Sequence, residues 1–267
     1  MKKRFKLGIL GCDDVAINIF KGVVLSDLLS ERKVIAGDLV EDKFDEIMDL
    51  GVSATTNLSL IVDNCEYLLF SGNKKTFEQI VNKLNGIKHE KLISVIPNLK
   101  KNAIKNMFGI GGACVARAIL NLPCAIGSGM IGLDMTDFNK NIEDTEFISN
   151  IFDCLGTVLS VDESKLDAVS GLNNPAYSLI MLDSLISGGV EQGLTKNEAK
   201  ILAVQTMLGA AEMVWREEQS VAELLMRTCK GGSSIEAVKV FEENGFAAVI
   251  DKAVSECVKR SKELSDQ

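Results

Sequence analysis

The sequence predicts an α/β protein in two parts: a mostly parallel sheet with covering helices over residues 1–160, then an all-α part over residues 161–267. Three observations carry this. An apolar run from Phe5 to Gly11 ends in glycine and passes straight into a helical pattern from Val15 to Phe20. Strand-like and helix-like runs then alternate as far as Val161, at the spacing of βαβ units with right-handed crossovers. Beyond Val161 the strand-like runs stop and only helical patterns remain.

Taken in order, Val34 to Leu39 reads as a strand and Lys43 to Leu50 as a helix. Tyr67 to Phe70 is a buried strand, followed by a helix from Lys75 to Leu84. Leu92 to Ile96 is the next strand and Lys100 to Met107 the next helix. Val115 to Ile119, Ile126 to Leu133 and Thr157 to Val161 extend the sheet or its edge. Helical patterns follow over Glu163 to Gly171, Pro175 to Gln192, Lys196 to Glu217, Val221 to Thr228, Ser234 to Asn244 and Phe246 to Lys262. Thr195…Glu198 and Ser233…Glu236 have the Ser/Thr-x-x-Glu spacing of a capping box, which places two helix starts. No internal repeat or low-complexity linker is present; the break near Val161 is a change of class.

Composition excludes several functions. A net charge of −8 opposes a nucleic-acid groove, which needs a basic surface, while leaving room for a small anion held by local amides. The seven cysteines are scattered, with no C-x-x-C pair, so reduced thiols are expected, without a disulfide framework or thiolate metal site. The apolar run after Met1-Lys2-Lys3-Arg4 is too short for a signal peptide, and no apolar stretch is long enough to cross a bilayer. A cytoplasmic protein is expected. The single histidine, His89, sits in the polar stretch Asn85 to Lys91 and reads as a surface-loop residue. That leaves no Ser-His-Asp triad and no multi-histidine metal site.

Two glycine-rich helix starts hold the candidate chemistry. Gly8-Ile9-Leu10-Gly11-Cys12-Asp13-Asp14-Val15-Ala16 stands where a dinucleotide-binding fold carries G-x-G-x-x-G/A. Gly11 and Ala16 suit the first and third roles of that turn. Asp13 takes the second, where its side chain obstructs pyrophosphate and its charge opposes it. Asp13 and Asp14 equally suit helix capping and the helix dipole. The turn therefore argues more for a Rossmann-like architecture than for cofactor use. After the second strand, Gly37 to Asp42 offers acids and no arginine, which favours NADH over NADPH if a dinucleotide binds. The second start, Lys230-Gly231-Gly232-Ser233-Ser234, is an anion site: its amides open a helix, with Ser233 as the expected cap.

The second half also carries Asp162 to Gly171 leading into Asn173-Asn174-Pro175-Ala176-Tyr177, then Gln205 to Ala211, then Thr228 to Ile235. In this order and spacing it resembles the C-terminal domain of pyrroline-5-carboxylate reductase, a family that reduces a cyclic imine to proline with a nicotinamide cofactor. The resemblance covers essentially the whole chain, strongly from Ile151 onward. In the first half Arg117 to Pro123 aligns with the family's Arg-x-Met-Pro-Asn-Thr-Pro, and Gly127-Ser128-Gly129-Met130 with its Gly-x-Gly-Met.

The resemblance implies NADH or NADPH contacts at Gly8, Gly11, Cys12, Asp13, Asp14, Val15 and Asn73, with Asn121 near the nicotinamide end; as a turn residue before Pro123, Asn121 has an equal structural reading. It implies substrate contacts at Lys230, Gly231, Gly232, Ser233, Ser234 and Asn174, for a small anionic imino acid. Ser234 aligns with a threonine whose hydroxyl meets the imine nitrogen, and Glu217 with an acid near the same place. Four places depart from the family: the Gly11-Cys12-Asp13 turn, the segment Phe70 to Lys74, the Asn173–Tyr177 loop, shorter by two residues, and Lys230, where the family has proline. An alternative reading therefore stands beside the reductase: a relative that keeps the fold and dimer but binds no dinucleotide or acts on another imine. The helix from Pro175 to Gln192 is apolar almost all round, which points to a subunit interface. The resemblance implies a homodimer through the C-terminal helices, with higher assembly left open.

Overall fold

The first strand, β1 (Phe5–Leu10), lies inside an eight-stranded sheet in the computed structural model, which describes residues 3–85, 89–108 and 112–265. It is followed by α1 (Asp14–Leu25), β2 (Val34–Gly37), α2 (Phe44–Met48), β3 (Ser53–Thr55), α3 (Leu58–Asn64), β4 (Cys65–Phe70), α4 (Lys74–Lys83), β5 (Lys91–Ser94), α5 (Lys101–Phe108), β6 (Cys114–Ile119), β7 (Gly129–Asp134), α6 (Ile142–Asp153) and β8 (Gly156–Ser160). Only helices follow: α7 (Leu166–Leu172), α8 (Ala176–Glu191), α9 (Lys196–Arg216), α10 (Val221–Thr228), α11 (Ser233–Glu243) and α12 (Phe246–Ser265). The α/β half and the all-α half appear as the sequence predicts. Three elements do not stand out in the sequence: β3, α3 and α6. All three are short or lack a clear apolar period of their own, and no element is assigned to them from the sequence.

The sheet order is β3-β2-β1-β4-β5-β6-β7-β8. Neighbours pair in parallel except β6 and β7, where Arg117 stands opposite Asp134 in an antiparallel register. The order reverses direction at β1, so the space beyond the C-terminal ends of β1 and β4 is the ligand crevice expected of such sheets. Both faces are covered. Leu7 and Ile9 pack with Ile19, Phe20, Ile148 and Phe152 on one side. Leu10, Leu68 and Phe70 pack with Ile61, Phe77, Ile80 and Ile104 on the other.

The chain divides into two compact units: residues up to Asn173 together with those from Glu256 onward, and Asn174–Ser255. In the first, Ser261 Oγ donates to Asp167 Oδ1 at 2.8 Å and anchors the end of α12. In the second, α8 packs on α9 at Gly189, where an added Cβ would stand 3.0 Å from the Ala199 Cβ. No residue of α8 is buried, and Leu179, Ile180, Ile201, Leu202 and Trp215 are exposed on α8 and α9.

Two expectations are corrected. His89 is buried at 6% exposure and does not lie on a surface loop; residues 86–88 of that loop lie outside the described residues. Its Nδ1 accepts from Lys91 N–H at 3.3 Å, so Nε2 carries the proton and donates to Cys65 O at 2.9 Å. A neutral ring satisfies both bonds, and burial lowers its pKa. The capping box forms at Thr195…Glu198 but not at Ser233…Glu236, because Gly232, at φ 104, takes the N-cap and Ser233 becomes the first helical residue. An unforeseen capping box forms at Ser220…Glu223 and starts α10.

Candidate active site

The first group of site residues lies at the C-terminal end of β1. Gly11 has φ +93, and a Cβ there would stand 2.3 Å from the Ser71 carbonyl oxygen, so only glycine lets the chain turn this close to the end of β4. Asp13 is the N-cap of α1, its Oδ1 accepting from Ala16 N–H at 2.9 Å and from Ser71 Oγ–H at 2.6 Å. Asp38, just past β2, accepts Cys12 N–H at 2.6 Å on Oδ2 and Leu39 N–H at 2.6 Å on Oδ1. Two carboxylates thus bracket the turn and occupy two of its amides. Burial, then Asp38 and Asp13, push the Cys12 thiol up to about 12, so it stays a thiol.

The amides of Asp14 and Val15, in the first turn of α1, have no acceptor among the described residues, as expected for a helix start. Beside them opens a cavity of about 260 Å³ lined by Asp14, Val15, Asn18, Leu120, Asn121, Leu122 and Cys124. The structure thus brings Gly11, Cys12, Asp13, Asp14 and Val15 together in the turn, with Asn121 facing the same cavity as the last two. Gly8 lies within β1, where an added Cβ would meet Ile61 and Cys65 side chains at 2.5 and 2.6 Å, so its small size serves packing against α3 and β4. Asn73 is the N-cap of α4 and spends its Oδ1 on Thr76 N–H at 3.0 Å. Sequence reasoning missed Ser71, whose signal, a polar residue directly after a buried strand, was present.

The second group lies in the second unit. Gly231 and Gly232, at φ 128 and 104, shape the approach to α11, whose start carries no side-chain cap bond. The first-turn amides are therefore available to an anion. Lys230, Ser233 and Ser234 are exposed, and neither serine hydroxyl has a partner among the described residues. Asn174 accepts Ala176 N–H at 3.0 Å and opens α8. Glu217 ends α9 with both oxygens taken by Arg227, at 2.8 Å each. Those bonds lower the pKa of its carboxyl, and in return Glu217 orients Arg227. Among the described residues, no cluster of three or more histidines, cysteines or acids has the arrangement of a metal site.

A pyrroline-5-carboxylate reductase of Arabidopsis thaliana is 30% identical to this chain, over 98% of it and 96% of the relative. The chain belongs to the pyrroline-5-carboxylate reductase family. A second reductase, from Synechocystis, is 30% identical over 97% of this chain and 98% of its own. Residues 163–264 match the family's dimerisation domain. The fold is that of the Coxiella burnetii pyrroline-5-carboxylate reductase, with a TM-score of 0.88 at 24% identity over 98% of each chain. The Plasmodium falciparum pyrroline carboxylate reductase, solved with NADP bound, has a TM-score of 0.83 at 21% identity over 99% of this chain and all of that one.

Proposed function

We propose that this protein reduces 1-pyrroline-5-carboxylate to proline with NADH or NADPH. The observation that carries the reading is the first cavity: Asn121 lines it together with Asp14 and Val15, whose first-turn amides are free and which directly follow a glycine turn of the dinucleotide-binding kind. These residues fit the cofactor except at Asp13, which adds charge repulsion without blocking the amides of Asp14 and Val15. When bound, the reduced nicotinamide supplies hydride to the imine carbon. The protein's part is to orient the imine carbon against the cofactor and to hydrogen-bond the imine nitrogen, which takes up a proton as the carbon takes the hydride.

In this reading residues 1–160 hold the cofactor, while residues 161–267 bind the substrate and pair two subunits. The Ser233 and Ser234 amides receive the substrate carboxylate, Lys230 adds a positive charge beside it, and the Ser234 hydroxyl donates to the imine nitrogen. Asn174 completes the substrate end, and Glu217 acts through Arg227. Asp38 supports a preference for NADH, because its carboxylate at the end of β2 opposes a 2′-phosphate. The exposed apolar surface of α8 and the match to a dimerisation domain support a homodimer. Seven unpaired cysteines support a reducing compartment, the cytoplasm.

Asp13 favours a second reading, a relative that has kept the fold and lost the dinucleotide. Titration of nicotinamide fluorescence with NADH and NADPH separates the two. The reductase reading expects saturable binding, and proline formed as NADH is consumed with 1-pyrroline-5-carboxylate. No binding of either cofactor at about a thousandfold above a micromolar range would leave only the second reading.

A further inference from the structure

Asn121 and Asn173 belong to a closed ring of hydrogen bonds. Asn121 Oδ1 accepts Met130 N–H at 2.9 Å, Asn121 Nδ2 donates to Asn173 Oδ1 at 2.5 Å, and Asn173 Nδ2 donates to Met130 O at 2.7 Å. The ring assigns both amides without ambiguity. Turning Asn121 over would set an NH2 against the Met130 N–H, and turning Asn173 over would set an oxygen against the Met130 carbonyl. With Nδ2 committed once, Asn121 keeps one amide N–H with no acceptor among the described residues.

The two ends of the ring differ in purpose. Asn121 lines the cavity beside the first turn of α1. Asn173 does not line it; it caps the C-terminal end of α7, where its own N–H returns to Val169 O at 2.7 Å. Gly129, just before Met130, is held by Leu155 O at 2.9 Å, and a Cβ there would strike Cys124 Sγ at 2.1 Å. The Met130 peptide is therefore a fixed post, and Asn173 ties Asn121 to it from the far side.

We propose that Asn173 is a positioning residue, acting through Asn121 to hold that free amide N–H toward the cavity, and thereby aligning the nicotinamide end of the cofactor for hydride transfer. The inference rests on the reductase reading. It is tested with Asn173→Ala, Asn121→Ala and the double variant. The readouts are NADH affinity by fluorescence, kcat and KM for the imine, the primary isotope effect with 4-deuterated NADH, and the urea midpoint.

In Asn173→Ala, kcat should fall about tenfold and NADH binding weaken several-fold, with KM for the imine little changed and a larger isotope effect as hydride transfer becomes limiting. The double variant should lose no more than Asn121→Ala alone, since the two act in one chain of contacts. Unchanged kcat and NADH affinity in Asn173→Ala would overturn the proposal, as would losses that simply add in the double variant. If Asn173→Ala fails to fold, the isosteric Asn173→Asp, which cannot donate to Met130 O, is judged by the same two criteria. A wild type that binds NADH but reduces no imine would overturn the reductase reading. A wild type that turns over, with variants that match it, would overturn the role of Asn173 alone.

Discussion

Replacing Asp13 by asparagine isolates the charge in the cofactor turn from its shape. The side chain accepts from Ala16 N–H and Ser71 Oγ–H through one oxygen, Oδ1, and an asparagine oxygen accepts both. Asparagine and aspartate are nearly equal as N-caps, so the helix start should survive, with about 0.3–1 kcal/mol lost from the charge–dipole interaction. The gain falls on the cofactor. One carboxylate and one phosphate charge ~6 Å apart, at an effective dielectric constant of ~40, repel by about 1.4 kcal/mol. A second phosphate charge adds to this, and partial exposure and salt subtract, leaving about 1–2 kcal/mol. Asp13→Asn should therefore bind NADH about 5- to 30-fold more tightly. Fluorescence titration at low and high salt measures it, and the advantage should shrink as salt rises. Unchanged affinity at low salt, with an unchanged melting temperature, would refute the placement of the pyrophosphate at this turn.

Three further outcomes follow from the same geometry. Ser234→Ala should lower kcat/KM for the imine about 10- to 100-fold while leaving NADH affinity unaltered, by steady-state kinetics and titration. Gly11→Ala forces a Cβ to 2.3 Å from Ser71 O at φ +93, so it should cost about 1–3 kcal/mol in urea unfolding and weaken cofactor binding sharply. His89 is held neutral, its pKa lowered, chiefly by burial, below the 6.5 of an ordinary imidazole. Its contribution is thus complete above that pH and is lost as the pH falls toward the folded value, because the unfolded chain takes up the proton first. Unfolding midpoints measured downward from neutral pH should show this slope, and His89→Gln should flatten it.

The alternation of strands and helices was legible because each element carries its own period, and the first turn because Gly11 interrupts an apolar run just before a helix. The capping box at Thr195 was legible for the same local reason. The one expected at Ser233 was not, because the glycine before it can adopt a positive φ and take the cap, a choice the spacing alone does not reveal. His89 was misread since its polar neighbours are sequential, while the groups that bury it, such as the Cys65 carbonyl, come from 24 residues away. Site residues split along the same line. Asp13, Asn121 and Ser234 carry local signals. The partnership of Asn121 with Asn173 spans 52 residues, and the capture of Glu217 by Arg227 depends on how α9 and α10 meet.

The turn at Gly11 continues the sheet beyond its strands. Gly11 N–H donates to Gly37 O, Ser71 N–H to Leu10 O and Val95 N–H to Phe70 O, at 2.9, 2.9 and 3.0 Å. The path of the backbone is thus dictated by the ladder and by the missing side chain at position 11. Residue 13 contributes a cap and a charge but does not steer the chain. Position 13 can therefore change its electrical character while the architecture stands still, which makes it a place where descent can retune the strength of cofactor binding without rebuilding the protein.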